Sequence, residues 1–292
     1  MKILGTGLNG LIGSRIVELL SGEYEFENIS RSNGIDITNE SQVLQKVGDC
    51  DSPLILHLAG KTDVDACEKD KELGEEGEAW KINVFGTKNI LKAAEKSGKK
   101  LIYISTDLVF DGKKNTQEGY TEEDKPSPVN WYAQTKYEGE KLVQKGNAHW
   151  IIVRIAYPYR AIFEKKDFVR VLIDKFEQKE KLYMIKNHIM SPTFIDDVAG
   201  AIDTVIKNNL SGIYHAVGSQ FVSPYDAAVI IASEFSFDKN LIEQTSREEF
   251  FRNRAERPFF LGLKNDKIEK FGVKMKSFEE GIKEIKRQLK TI

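Results

Sequence analysis

A tyrosine and a lysine four positions apart, Tyr132 and Lys136 in "VNWYAQTKYEGEK" (Val129 to Lys141), could form a proton-transfer pair. On a helix, that separation puts both side chains on one face. A free phenol titrates near about 10, too high to exchange protons readily at neutral pH. A neighbouring ammonium favours phenolate and would lower that value. The same lysine could hydrogen-bond a ribose hydroxyl and so steady a nicotinamide ring. A further hydroxyl would be needed to hold the oxygen that receives the proton. "YISTD" offers Ser105 and Thr106 for this, at the end of an apolar run. Tyrosine and lysine one turn apart are commonly just a solvated helix face, so the reading depends on what accompanies them.

What accompanies them is a glycine-rich turn. "GTGLNGLIG" gives Gly5, Gly7, Gly10 and Gly13. Glycine lets the chain turn sharply and lets a phosphate approach peptide N–H groups. A helix opening near Leu11 would offer free N–H groups and a positive dipole end. Gly13 would allow that helix to pack close to the preceding strand. Strand, glycines, helix is the context that a dinucleotide fingerprint requires. At the end of the second strand an NAD site usually presents an acidic residue to the ribose. Here the residues are Ser30-Arg31-Ser32. An arginine can pair with a 2′-phosphate that a carboxylate would repel. This favours NADP(H), with NAD(H) as the other candidate. Asp36 and Ile37, a little later, are placed beneath the adenine.

Several elements must position these groups. "KIL", "EFENIS", "PLILHLAG", "KKLIYIST" and "WIIVRIAY" read as strands, and the near-continuous apolar runs suit strands covered on both faces. Between them, "LIGSRIVELL", "AWKINVFGTKNILKAAEKSG" and "YAQTKYEGEKLVQK" carry helical periodicity. Alternation of this kind predicts an α/β fold, a doubly wound parallel sheet with helices on both faces. The second half alternates less regularly. It suggests a smaller α/β substrate lobe, with Asp196 or Asp197 capping a helix through "VAGAIDTVIK". We place a dinucleotide-binding Rossmann domain at 1–157 and the substrate lobe at 158–292, with the chain free to cross back between them.

Composition narrows the function classes. The 292 residues carry 43 basic and 45 acidic side chains, a net charge of -2, so no basic field invites nucleic acid. Cys50 and Cys67 fit free thiols in a reducing compartment. The longest late apolar run, "AAVIIA", is far too short to span a bilayer, and the N-terminus has no unbroken apolar centre. A cytoplasmic protein without a membrane partner is expected. The four histidines, His57, His149, His188 and His215, show no metal-ligand spacing, and no metal is expected. Asp63, Asp65 and Glu68 read as carboxylates near a helix start. Trp131 could wall a pocket or simply pack. A homodimer is compatible with the sequence but not specified by it.

In order and spacing, these segments resemble the extended short-chain dehydrogenase/reductases and, more narrowly, the dTDP-4-dehydrorhamnose reductase family. "TGLNGLIG" is similar to its nucleotide turn, "HLAGKTDVDACE" to its "AA-x-T-x-VD-x-CE" segment, and "STDLVFDG" to its "STDYVFDG". "PVNWYAQTKYEGE", "VRIAYPY", "SPTFIDDVA", "GIYHAVG" and "RAERPFFLGL" resemble its later segments. The resemblance implies a Thr106–Tyr132–Lys136 triad and hydride delivery from NADPH to a ketone carbon. Tyr132 would donate a proton to the developing alkoxide, Thr106 would hold the oxygen, and Lys136 would bind ribose. Gly10, Leu11 and Ile12 would meet the pyrophosphate. Leu58, Ala59, Gly60 and Lys61 would pass under the cofactor. Asp107, Leu108 and Tyr157 would face the substrate, a nucleotide-linked deoxysugar with a 4-keto group.

Two positions depart from that pattern. Leu108 stands where the family has tyrosine, and Tyr157 where it often has tryptophan. A sugar nucleotide dehydratase or epimerase on the same scaffold is a second reading. A dehydratase would usually carry Asp-Glu after the active-site threonine, whereas this chain has Asp107-Leu108. A third is a non-catalytic NADP-binding regulatory subunit, like that of methionine adenosyltransferase.

Overall fold

A computed structural model describes residues 1–114 and 118–291. Its centre is a six-stranded sheet, parallel throughout. The strands are β1 (Lys2–Thr6), β2 (Glu25–Ile29), β3 (Leu54–His57), β4 (Lys100–Thr106), β5 (Trp150–Ile155) and β6 (Gly212–His215). They lie in the spatial order β6-β5-β4-β3-β1-β2. The order reverses at β1 and β3, which opens a crevice at their carboxyl ends, where such sheets bind ligands.

The strand sequences explain why both faces are covered. Successive side chains alternate, so neighbours in sequence enter opposite cores. Ile3, Leu56, Ile102 and Ile151 pack on one side, while Leu4, Ile55, Leu101 and Ile152 pack on the other. Helices α1 (Leu11–Leu20), α2 (Glu40–Asp49), α3 (Val64–Lys69), α4 (Thr87–Lys96) and α5 (Trp131–Lys145) connect the first five strands. On the first side Ile16 of α1 meets the sheet. On the second, Val43, Ile90 and Val143 do so from α2, α4 and α5.

Helix α4 is entered through a short turn, Glu78–Trp80, and a π-type segment, Lys81–Gly86. Single π turns of this kind recur near functional sites. Gly98, at φ 61°, ends the run in the left-handed conformation that glycine tolerates.

The second half builds its own layer and also returns to the sheet. Helices α6 (Phe168–Glu177), α8 (Pro224–Phe235) and α9 (Phe278–Leu289) enclose a cluster around Tyr159, Phe194 and Phe278. Helix α7 (Ile195–Lys207) instead packs on the first core through Val198, Ile202 and Val205, and β6 completes the sheet beside β5. The expected cap of α7 is not made by an aspartate. Phe194 occupies the cap position without a side-chain bond. Asp196 is drawn off by Arg15 at 2.7 Å, and Asp197 receives the Lys276 N–H and Nζ, both at 2.7 Å.

Candidate active site

The turn from β1 to α1 is built by close approach. Gly7 has φ 71°, and a Cβ there would sit 2.8 Å from the Ala59 nitrogen. At Gly13 a Cβ would lie 2.4 Å from the Gly7 carbonyl oxygen. Gly10 caps α1 without a side-chain bond, and no acidic residue occupies the first turn. The helix therefore presents its first N–H groups and its positive dipole end to the crevice.

A buried relay fixes the neighbouring end of β3. The Ala59 N–H donates to Thr6 Oγ1 at 3.1 Å, and Thr6 Oγ1 lies 2.6 Å from His57 Nδ1. His57 Nε2 lies 3.0 Å from Thr87 Oγ1, which donates to the Asn83 carbonyl at 2.7 Å. Burial pushes the His57 pKa down to about 3, so the imidazole is neutral, with one nitrogen accepting and the other donating. It is a satisfied interior histidine, as expected. His215 is another: it is fully buried, with Nδ1 at 3.0 Å from the Lys264 carbonyl.

The end of β4 faces the start of α5. Asn130 caps α5 by accepting the Ala133 N–H at 2.9 Å, while its Nδ2 donates to the Glu256 carbonyl at 2.9 Å. The helix thereby brings Tyr132 and Lys136, both buried, against Thr106 and Asp107. Lys136 Nζ donates to the Ile104 carbonyl at 2.7 Å and lies 4.1 Å over the Tyr103 ring. Thr106 Oγ1 donates to Asp107 Oδ1 at 2.9 Å.

These elements enclose a cavity of about 580 Å³. It brings together Gly7, Gly10, Leu11, Ile12 and Gly13 of the turn, Leu58, Ala59 and Gly60 after β3, Thr106, Asp107 and Leu108 after β4, Tyr132 and Lys136 of α5, and Tyr157. Arg31, Asp36, Ile37 and Lys61 do not line it. Arg31 is exposed and donates to Asp36 Oδ2 at 3.1 Å, while Asp36 Oδ1 accepts from Thr38. Ile37 is packed into the core. Lys61 Nζ is held by Asp70 at 3.0 Å and Glu78 at 2.6 Å. Trp131 stacks on Trp80, with ring centroids 5.4 Å apart, and does not wall the cavity.

Two residues escaped the sequence reading. Asn83, on the π-type segment, accepts the Lys61 N–H at 2.8 Å and donates to Thr135 Oγ1 at 2.9 Å. It ties the chain after β3 to the helix carrying Tyr132 and Lys136. Arg257, in "RAERPFF", lines the cavity and donates to Asp65 at 2.9 Å. Arg257 lies in the "RAERPFFLGL" segment quoted above for its resemblance, but neither residue was singled out, because their partners are distant in sequence. Among the described residues, no three His, Cys, Asp or Glu side chains converge as a metal set. No helix is long and apolar enough to cross a membrane.

Comparison with known proteins gives a family match over residues 1–291, described as the RmlD substrate binding domain. The chain belongs to the RmlD substrate-binding-domain family. It is similar to a dTDP-4-dehydrorhamnose reductase of Clostridium acetobutylicum, at 32% identity and TM-score 0.90, covering 99% of this chain and 100% of that one. A reductase of the same name from Bacillus anthracis, solved in complex with NADP, is 32% identical at TM-score 0.89, covering 98% and 99%. Subunit beta of mouse methionine adenosyltransferase 2 is 28% identical, covering 97% of this chain and 86% of that protein.

Electrostatics of this RmlD-family site differ from the expectation for its central pair. Burial pushes the Tyr132 phenol above its ordinary value of 10.0, the nearby Asp107 adds to the rise, and Thr106 opposes it. Lys136 does not acidify the phenol in this arrangement. Its ammonium is turned to the Ile104 carbonyl, and burial pushes its own pKa down to about 7, against the pull of Glu140. Desolvation outweighs the attraction that sequence spacing suggested.

Asp107 is pushed the other way. Burial raises its carboxyl to about 7, opposed by hydrogen bonds from Thr106 and the backbone. Oδ2 has no partner among the described residues, and neither has Ser105 Oγ at the same strand end. The folded state therefore holds a proton that the unfolded chain has released between the ordinary 3.8 and about 7. Stability falls as pH rises through that window. Asp107→Asn removes the effect. Its melting temperature relative to wild type is expected to rise from about pH 4 to about pH 7 and then level off. A difference that stays flat with pH would show that Asp107 is ionised throughout.

The site fits a dinucleotide on its own geometry. The turn leaves no room for a Cβ at Gly7 or Gly13, the helix N-terminus is uncapped by side chains, and the cavity-lining Ser105 and Asp107 each carry a buried oxygen without a partner among the described residues. The first N–H groups of α1 could hold a pyrophosphate, and Lys136 could hold a ribose hydroxyl.

Proposed function

We propose that this protein reduces the 4-keto group of a nucleotide-linked deoxysugar with NADPH. The observation that carries the reading is the meeting of the glycine turn, Thr106, Asp107, Tyr132 and Lys136 around one cavity. The similarity to dTDP-4-dehydrorhamnose reductases over nearly the whole chain supports it. NADPH, when bound, supplies the hydride.

The chain's own residues do the rest. Tyr132, buried with its pKa raised, keeps its proton at neutral pH. A developing alkoxide is a much stronger base than a phenolate, so the proton moves to the substrate oxygen as that charge appears. Thr106 holds the same oxygen through its hydroxyl, which now donates to Asp107. Lys136, now donating to the Ile104 carbonyl, would hold a ribose hydroxyl of the cofactor and compensate the phenolate. Asn83 and Asn130 position the helix bearing both groups. Leu58, Ala59, Gly60 and the Lys61 backbone would pass under the cofactor, and Arg31, Asp36 and Ile37 would hold its adenosine end. Leu108 and Tyr157 shape the sugar side. With leucine rather than an acid after Asp107, the pocket lacks the pair that water elimination needs.

The decisive experiment is consumption of NADPH by a panel of 4-keto nucleotide deoxysugars. One NADPH oxidised per sugar reduced supports the reading. Turnover without net oxidation would make the protein a dehydratase or epimerase instead. Similarity to subunit beta of methionine adenosyltransferase 2 favours a second reading, a cofactor-binding regulatory subunit. Tight NADPH binding without turnover, together with a co-purifying catalytic partner, would establish that one.

Cofactor choice tests Arg31. Among the described residues its exposed guanidinium is tethered only to Asp36, which leaves nitrogens for a 2′-phosphate. Arg31→Ala is expected to narrow the NADPH-over-NADH preference by about tenfold, since a phosphate–guanidinium contact is charge-assisted. An unchanged ratio of kcat/KM values would mean that another group reads the 2′-phosphate.

A further inference from the structure

Among the described residues, the largest fully buried side chain is Arg154, on β5. It faces Glu140 of α5, which is also closed off from solvent. The pair is bidentate: Arg154 Nε donates to Glu140 Oε1 at 2.9 Å and Nη2 to Oε2 at 2.7 Å. Arg154 Nη1 lies 3.5 Å from His215 Nε2, and the guanidinium stands 5.0 Å from the centre of the Phe110 ring. His215 Nδ1 gives its proton to the Lys264 carbonyl, which leaves Nε2 as an acceptor. Strand β5 thus fixes one end of the pair between β4 and β6, where Ser105 and His215 are its neighbours in register.

Two ions withdrawn from water carry a large desolvation penalty. Apolar side chains of similar volume generally join a helix to a sheet as well or better. What an apolar contact lacks is direction, whereas a guanidinium fork meets a carboxylate in one plane and at one distance. Glu140 comes four residues after Lys136 and eight after Tyr132, so the three share one side of α5. The same turn is seated on β4 at Gly139, where a Cβ would lie 2.4 Å from the Tyr103 hydroxyl. Tyr103 in turn carries Lys136 Nζ 4.1 Å over its ring. Asn130 and Asn83 hold α5 near its start, and Glu140 adds a fixed point further along. A shift of Glu140 along or around the helix axis therefore moves Lys136 and Tyr132 with it.

We propose that the Arg154–Glu140 pair is a positioning device for α5, setting where Lys136 meets the cofactor ribose and where Tyr132 meets the substrate oxygen; this rests on the roles given to those two residues in the reductase reading above.

The test replaces both ions at once, Glu140→Leu with Arg154→Met, because either change alone leaves a buried charge without its partner. The melting temperature of this double variant should equal or exceed that of wild type. Its NADPH affinity, measured by fluorescence titration on the full chain, should fall by about threefold to tenfold. In a Lys136→Met background the same two changes should alter NADPH affinity by less than about twofold, because groups that act through one another are not additive. With a 4-keto nucleotide deoxysugar, kcat of the double variant should fall by about 10- to 100-fold while KM stays within about threefold. A pair that only staples helix to sheet predicts wild-type NADPH affinity and kcat in the double variant, and that result overturns the proposal. So does a loss of NADPH affinity of equal size with and without Lys136. If the double variant does not fold, Arg154→Lys keeps the charge and removes the fork. Its NADPH affinity should fall by about twofold to fivefold, and wild-type affinity there overturns the proposal. Affinities that follow this pattern in a protein that reduces no sugar support the inference and overturn the reductase reading alone. Wild type that binds no NADPH overturns both.

Discussion

Tyr132→Phe is expected to lower kcat by about 10²- to 10⁴-fold, the range for loss of a positioned proton donor. The phenol is buried between Thr106 and Asp107 at the cavity wall, and phenylalanine keeps its ring packing. No core volume is lost, so melting temperature should change little. Removing a hydroxyl that desolvation burdens could even raise it slightly. NADPH affinity, measured by fluorescence titration, should stay within about threefold, because the glycine turn and the strand after β3 are untouched. A near-wild-type rate would remove Tyr132 from the chemistry and with it the proposed mechanism.

Lys136→Met should damage both binding and turnover. Methionine preserves the stem length but not the ammonium. Loss of a charge-assisted bond to ribose is expected to weaken NADPH by about tenfold, and kcat by about 10²-fold or more through misplacement of the ring and loss of charge compensation. Stability should move the opposite way. Wild type folds with a lysine whose pKa is about 7 rather than the ordinary 10.5. Between those values the unfolded chain holds a proton that the folded one lacks, so stability rises with pH across the window and is lost as pH falls toward 7. Lys136→Met lacks this slope and should be the more stable of the two at neutral pH. Thermal melts from about pH 7 to about pH 10 would check it. Parallel curves would mean that the ammonium is better solvated than its burial indicates.

The strands and the glycine turn were legible in the sequence because their signals are local. Alternation sends Leu4 and Ile55 to one face and Ile3 and Leu56 to the other, and glycines at 7 and 13 mark contacts too close for a side chain. The tyrosine–lysine spacing likewise fixes which side chains share a face. It does not fix where the lysine points. Burial and the Ile104 carbonyl decide that, and they reversed the expected effect on the phenol. Asn83 was invisible for a related reason: its role is a bridge to Thr135, 52 residues away. Arg31, Asp36, Ile37 and the Lys61 side chain were chosen by position along the chain, and the enclosed cavity does not include them.

The sixth strand has a consequence for how the molecule is made. β5 is edged by residues 212–215, which leave the ribosome well after the nucleotide-binding half has been synthesised. Until they arrive, Ile151 to Val153 carry an unpaired row of backbone donors and acceptors, the kind of edge that recruits strands from other chains. A gene fragment ending at residue 157 keeps that edge permanently. It should come out of expression as inclusion bodies rather than as an independent cofactor-binding module.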